Sequence, residues 1–326
     1  YSTKKIKFNF GSGFGITNYT LKDITEHIDY DRNYTNFYPS ASFNYMYKSN
    51  HNLRLNYYGN TTQPTINQLQ PIVNNNDNFN IVKGNPDLKP SFSNSINLMH
   101  NGYNFLKDIW TYQSLNFRTV SNSITYDRSI NPSTGQTIST PINSNGNYNI
   151  SFWGGVGFKV KKIDTRFNIS PNFNYNQSAD ILNSIKTTSK TTSTGLGLYI
   201  SKAKDKKYDL SISNNFSYNN TKSSQNGKSD YSTNSLGFNG TVYYKKVWSI
   251  NTDYMFNVRQ KINPLDQNLN NHLWNARLQR TFKNDEFTAY VLVRDILNQN
   301  IGVDRSYYGN QYNETRSERL KRYAVI

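Results

Sequence analysis

A chain of 326 residues with a formal charge of +16 and no cysteine excludes a disulfide framework and thiolate metal centres. Only 35% of residues are apolar and the mean hydropathy is −0.79, yet 26 tyrosines and 18 phenylalanines exclude disorder, which is poor in aromatics. No run approaches the roughly 18 apolar residues of a membrane-spanning helix. The opening YSTKKIKFNF lacks the apolar stretch of a signal peptide and reads as mid-strand, so the chain is expected to be a fragment or a processed piece.

Period-two alternation predicts strands at roughly 4–18, 37–48, 53–60, 93–104, 109–120, 147–160, 165–176, 193–201, 207–219, 232–245, 247–259, 272–282, 287–294 and from 320 to the end. In the second, Ala41, Phe43, Tyr45 and Tyr47 share a face. The stretches at 91–104 and 109–120 alternate less cleanly, and a bulge is expected there. At 147–160 Tyr148, Ile150, Phe152, Val156, Phe158 and Val160 align, with GGVGF glycines inside the strand that permit bending or close packing. In TRFNISPNFNYN, Phe167, Ile169, Pro171, Phe173 and Tyr175 oppose Arg166, Asn168, Ser170, Asn172 and Asn174. In YDLSISNNFSY, Tyr208, Leu210, Ile212, Phe216 and Tyr218 oppose Asp209, Ser211, Ser213, Asn215 and Ser217. A strand with one apolar and one polar side has this pattern.

The connections alternate between long and short. Short turns hold KSNHN, NFLKD, KKID, SKAKDKK, KK and KNDE; long pieces span roughly 19–36, 61–92, 121–146, 177–192, 220–231, 260–271 and 295–319. A soluble sandwich has no reason for this asymmetry. An outer-membrane barrel does: short periplasmic turns, long extracellular loops, apolar outside and polar inside. The fold expected is therefore all-β, a transmembrane antiparallel up-and-down β-barrel with about 14 strands in this chain, forming one domain over 1–326. Lysines such as Lys107, Lys161, Lys162, Lys206, Lys245, Lys246 and Lys283 fall in the short turns, where they can meet the phosphates of outer-membrane lipid. They form no strip interleaved with stacking aromatics, so a nucleic-acid partner is not expected. Tyr57, Tyr58, Tyr103, Trp110, Tyr148, Tyr208, Tyr243, Tyr244, Trp248 and Trp274 lie near strand ends, as an interfacial girdle requires.

Loop 61–92 contains two marked stretches, NTTQPTINQLQP and GNPDLKPSFSNSINL. Pro86 and Pro90 cannot donate ladder hydrogen bonds and suit the entrance of a strand. Gly84 and Asn85 suit a turn, and Asn85, preceding proline, is pushed toward extended backbone. This pair resembles the hallmark of TonB-dependent outer-membrane transporters, here those with a carboxypeptidase-regulatory-like N-terminal domain. Gln63, Pro64, Thr65, Gln68, Leu69 and Pro71 match its first part, and Gly84, Asn85, Pro86, Leu88, Lys89 and Pro90 its second, with Ser91 where the family has Glu. AYVLVRDILNQN resembles the family's penultimate region. The resemblance implies a barrel of 22 strands, of which this chain is the C-terminal part, and a plug, absent from this chain, coupled to the inner-membrane TonB complex. It also implies residence in the bacterial outer membrane.

No enzyme chemistry is expected. His27, His51, His100 and His272 are scattered without metal spacing, and the glycines of TKSSQNGKSD and SFWGGVGFKV form no phosphate loop. Neither catalytic nor cofactor-binding nor metal-binding residues are assigned. The polar faces carry Arg54, Arg118, Arg166, Arg259, Arg277 and Arg294, expected to face the lumen, where arginines hold a plug, meet an anionic substrate or pair with neighbours such as Asp253 and Asp295. Import of a ligand captured by extracellular loops is the expected function. The alternatives are a passive 14-stranded pore and a non-transporting surface barrel that binds a surface lipoprotein or a secretion or adhesion component. A soluble adhesin is the last.

Overall fold

The computed structural model describes every residue except 24–27, 71–72, 75–76, 225–226, 262–269, 284–285, 301 and 309–310. In chain order the strands are β1 (Ile6–Asp23), β2 (Ile28–Lys48), β3 (His51–Thr62), β4 (Val73–Asn74), β5 (Asn80–Lys83), β6 (Ser91–Asn104) and β7 (Ile109–Ser121). Then come β8 (Ser123–Ile130), β9 (Thr137–Ser144), β10 (Asn147–Val160), β11 (Thr165–Leu182), β12 (Ile185–Lys204) and β13 (Tyr208–Ser223). The last are β14 (Gly227–Tyr244), β15 (Trp248–Arg259), β16 (Asn271–Phe282), β17 (Phe287–Arg294), β18 (Val303–Tyr308), β19 (Gln311–Arg316) and β20 (Tyr323–Val325). One short helix, α1 (Ile66–Leu69), lies in the loop after β3.

Fourteen of these strands make the wall among the described residues: β1-β2-β3-β6-β7-β10-β11-β12-β13-β14-β15-β16-β17-β20, each antiparallel to the next. This is the up-and-down sheet the alternation predicts. Among the described residues no ladder joins β1 to β20. Directly paired residues share a face, so the apolar side forms continuous rows across the wall. One row runs Phe8, Phe43, Leu55, Leu98, Leu115, Phe152 and Phe173. Another runs Phe158, Phe167, Ile200, Ile212, Phe238, Tyr254 and Trp274. The second begins beside a short turn at β10 and ends near the long-connection end of β16, which is the stagger of a tilted barrel wall.

Burial is inverted relative to a soluble protein. Leu55, Ile212 and Ile250 are exposed by 41%, 48% and 54%, whereas Ser114 and Asn36 on the polar face are each only 2% exposed. Among the described residues the buried apolar side chains are Tyr34, Leu69, Leu88 and Ala179, with the prolines Pro64 and Pro141, far too few for a water-facing core. An apolar surface this continuous needs a non-aqueous solvent. The crowded polar face is held by side-chain bonds such as Asn149 Nδ2 to Asn174 Oδ1 at 2.9 Å and Ser235 Oγ to Asn257 Oδ1 at 2.8 Å.

Several boundaries differ from the sequence expectation. The loops expected at 19–36, 177–192 and 220–231 are largely continued ladders: β1 pairs β2 as far as Asp23↔Ile28, β11 pairs β12 as far as Leu182↔Ile185, and β13 pairs β14 as far as Ser223↔Gly227. The β11–β12 hairpin closes on Asn183 and Ser184 at φ 50° and 63°, the conformation a two-residue primed turn demands. The bulge expected at 91–120 does not occur, because β6 and β7 pair in unbroken register from Phe92↔Ser121 to Asn104↔Ile109. The alternation is blurred there because His100, Gln113 and Thr111 occupy apolar-face positions. The register shift falls instead between β2 and β3, at Tyr45 to Lys48. The aromatic girdle is also narrower than expected, since pairing puts Tyr58, Tyr103, Trp110 and Tyr243 on the polar face, opposite Ser40, Gly157 and Ser249.

Candidate functional site

The polar side of the wall and the connections at its long-loop end are the surfaces a solute meets. Between β3 and β6 the chain leaves the wall, turns through α1 and returns through β4, β5 and the GNPDLKP stretch. Gln68 Oε1 accepts the Thr65 amide at 2.9 Å and closes the first turn of α1. Pro64 and Pro141 are fully buried, and Leu69 and Leu88 retain only 8% and 3% exposure. The Asn85 amide donates to the Gln68 carbonyl at 2.7 Å, tying the two marked stretches together. Gly84 passes so close to that segment that an added Cβ would stand 1.7 Å from the Gln70 carbonyl oxygen. Only glycine fits this approach.

The second stretch also grips the β8–β9 hairpin. Asn85 Nδ2 donates to the Pro141 carbonyl at 2.9 Å, and Asn85 Oδ1 accepts the Asp87 amide at 2.9 Å in an Asx turn. Asn143 Oδ1 accepts the Lys89 amide at 2.8 Å, while its Nδ2 donates to the Lys89 and Asn122 carbonyls at 2.8 and 2.9 Å. Pro90 directly precedes β6, where a residue without an amide donor suits the strand entrance. β5 pairs β9 in parallel, and β8 pairs the end of β11 in parallel, so the loop, the hairpin and the wall share one hydrogen-bonded ladder. The loop also reaches the polar-face side of β1 and β2. Tyr19 Oη donates to Gln63 Oε1 at 2.9 Å, and Arg32 Nη2 donates to the Pro86 carbonyl at 3.3 Å. The motif residues thus form a latch that sets the loop over the long-loop end of the wall. Pro71 and His27 lie outside the described residues.

A comparable knot closes the other end of the sheet. Asp295 is 5% exposed; its two carboxylate oxygens accept the Gln299 and Asn300 amides at 2.9 and 3.0 Å, and its own amide donates to Asn275 Oδ1 at 2.8 Å. The DILNQN stretch is therefore a strand-end cap.

The six arginines all fall on polar-face register positions, but the structure does not bring them together. Arg54 stands opposite Asn44 and Met99, Arg118 opposite Ser95 and Asn149, and Arg166 opposite Lys159 and Ser201. Arg259 covers the Tyr231 ring at 4.8 Å, Arg277 covers Tyr290 at 4.2 Å, and Arg294 pairs with Tyr323. Their charges are spread across the wall. The feature that sequence reasoning missed is a polar-face recess of about 410 Å³ toward the long-loop end of β10–β14. Asn149, Asn174, Asn176, Thr191, Asn219 and Tyr231 line it, and Asp180 brings a carboxylate that accepts from Thr125 Oγ1 at 2.9 Å. Ser229 Oγ, also on its wall, is buried without a hydrogen-bond partner among the described residues. The recess offers amide and hydroxyl donors and acceptors to a neutral or weakly charged solute.

Inverted burial, staggered antiparallel pairing and a polar side beneath elaborated connections define a transmembrane β-barrel wall. The model of the Outer membrane protein beta-barrel family matches residues 1–189, more than half of the chain, and the protein belongs to that family. Its place is the bacterial outer membrane. Residues beyond the match continue the same wall, through the remainder of β12, β13 to β17 and β20. A comparison with curated proteins finds no match.

Proposed function

We propose that this chain is barrel wall of a TonB-dependent transporter, importing a ligand captured by the extracellular loops. The observation that carries the reading is the paired motif at Gln63–Gln68 and Gly84–Pro90, whose residues act together as the latch of one outer loop. A passive pore has no need of a loop pinned to both the wall and a neighbouring hairpin. Among the described residues no ladder joins β1 to β20, which agrees with a wall of more than fourteen strands. In this reading the lumen arginines steady a plug, and the neutral recess on β10–β14 receives solute as the plug moves. No covalent step is involved.

The test compares solutes removed from the medium by cells with and without the intact protein, with the proton-motive force present and then collapsed. Removal that requires both the protein and the energised inner membrane is the expected result. Removal that survives collapse would replace this reading with the passive pore, and no protein-dependent removal would favour the non-transporting surface barrel.

A further inference from the structure

At the long-loop end, three lysines on the apolar side of the wall stand side by side. β12, β13 and β14 pair without a register break, and Lys190 lies directly opposite Lys222, which lies directly opposite Lys228. Lys190 keeps the strand parity of Leu196, Lys222 that of Phe216 and Lys228 that of Leu236, so the three ammonium groups and the apolar side chains share one face. All three lysines are exposed. Like charges directly opposite one another destabilise a sheet, and here the clash occurs twice in succession. One counter-charge is at hand: Asp230 Oδ1 lies 3.3 Å from Lys228 Nζ, and Asp230 Oδ2 accepts from Tyr218 Oη at 2.9 Å. Among the described residues Lys190 and Lys222 are in no ion pair. The row is short of negative charge, which a ligand can supply.

Depth decides which ligand. Tyr208 and Tyr218 lie on this face of β13 five register steps of two residues apart. At about 5 Å per step along the membrane normal for a tilted strand, they bracket the apolar band of roughly 25 Å. Lys222 stands two steps beyond Tyr218, about 10 Å further out, and a lysine stem reaches back from there to the headgroup phosphates. Between the lysines and the band lie Thr192, Asn220, Thr194 and Ser232, with hydroxyl and amide groups for a polar headgroup. Deeper still, Leu196, Phe216 and Leu236 are exposed by 40–46%. Cations at headgroup level with bare apolar side chains beneath them on the same face fit a molecule that is phosphorylated at one end and hydrocarbon at the other. Long connections are extracellular in such barrels, which sets the leaflet. We propose that the lipid-facing surface of β12–β14 binds a phosphorylated lipid of the outer leaflet. Its phosphate sits among Lys190, Lys222 and Lys228, and its acyl chains lie along Leu196, Phe216 and Leu236. The site stands whether or not the lumen transports.

The test titrates the intact protein, extracted into detergent, with bisphosphorylated lipid A and with its dephosphorylated form under native mass spectrometry. It compares wild type with the triple variant Lys190→Thr, Lys222→Thr, Lys228→Thr. Threonine suits a strand and removes the like-charge row, so the lipid-free variant should melt no lower than wild type. The expected result is preferential retention of the phosphorylated lipid by wild type, weakened on the order of a hundredfold in the triple variant. Lys222→Thr alone, at the centre of the row, should weaken it roughly fivefold and keeps the test open if the triple variant folds poorly. Lys206→Asn with Lys246→Asn, at the opposite end of the wall, is expected to leave retention unchanged. Equal retention of the two lipids, equal retention by wild type and the Lys222→Thr variant, or displacement of the lipid by millimolar inorganic phosphate would each overturn the proposal.

Discussion

Gly84 shows how a single position can hold a whole loop. Its Cα must pass the Gln70 carbonyl so that the Asn85 amide reaches Gln68 and the Asn85 side chain reaches Pro141. Gly84→Ala should cost about 1–3 kcal/mol of local stability, as overpacking of a closely fitted site does. Hydrogen exchange at the Asn85 amide should accelerate accordingly while exchange in β12 and β13 is unchanged; unaltered protection at Asn85 would show that the latch tolerates the methyl group. Asp164, at the tip of a short turn, offers a second local measurement. The Lys159 ammonium, 2.6 Å away, bonds and attracts its carboxylate and holds it below the usual aspartate range. Its folded pKa is therefore lower than its unfolded one, so the pairing stabilises fully above about pH 4 and is lost as pH falls through the folded value. A carboxyl titration by NMR should give a midpoint below that of an ordinary aspartate, returning to it in Lys159→Gln; an ordinary midpoint in wild type would remove the pairing.

At the scale of the strand, β10 and β11 carry the sharpest local fit. Pro171 lies mid-strand on β11, and pairing with β10 lapses there: Gly154 and Gly155 face Pro171 and Ser170 with no ladder pair between these two strands. The register is the same on both sides, Trp153↔Asn172 and Val156↔Ile169, so a residue with no amide donor is accommodated without a slip. Two residues on, Gly157 lies under the Trp110 indole, where an added Cβ would stand 2.0 Å from the ring. Gly157→Val should destabilise the wall by about 1–3 kcal/mol, and much of that should vanish in a Trp110→Ala background, because the two residues share one space. Additive losses in that cycle would mean the ring moves aside freely. The glycines of GGVGF were legible as close-packing residues, and the membrane-crossing parts of most strands were legible from alternation. What was not legible has a common cause. Beyond the apolar band both faces meet water, so a strand such as β12 runs through KTTSKTTST with no hydropathy contrast to mark it. The partners of the latch, Asn143, Pro141, Arg32 and Tyr19, belong to segments distant in sequence, and none carries a local signal. The recess was hidden for the same reason, since neighbours such as Asn149 and Asn219 are joined only by pairing through two intervening strands.

At the scale of the whole wall, the assignment of solvent to each face decides everything else, and it can be measured at adjacent residues. Ile212 lies mid-way along the apolar side of β13, between Ile200 and Phe238 in its row, and is 48% exposed. Ser213 is the next residue on the same strand and faces the other way, between Tyr199 and Gly237. Backbone pairing, strand propensity and distance from the turns are nearly the same for both, so a common substitution isolates the surroundings of the side chain. Arginine at Ile212 must enter hydrocarbon near the midplane and should cost about 2–4 kcal/mol, whereas arginine at Ser213 enters a polar interior and should cost well under 1 kcal/mol. Reversible urea unfolding of each variant in lipid vesicles gives both values directly. The same pair in Phe173→Arg and Asn172→Arg on β11 should repeat the contrast two strands away. Equal losses on both faces would mean that lipid does not wet the Leu55–Leu98–Leu115 side. The inverted burial would then have to be explained by a second layer packed against it.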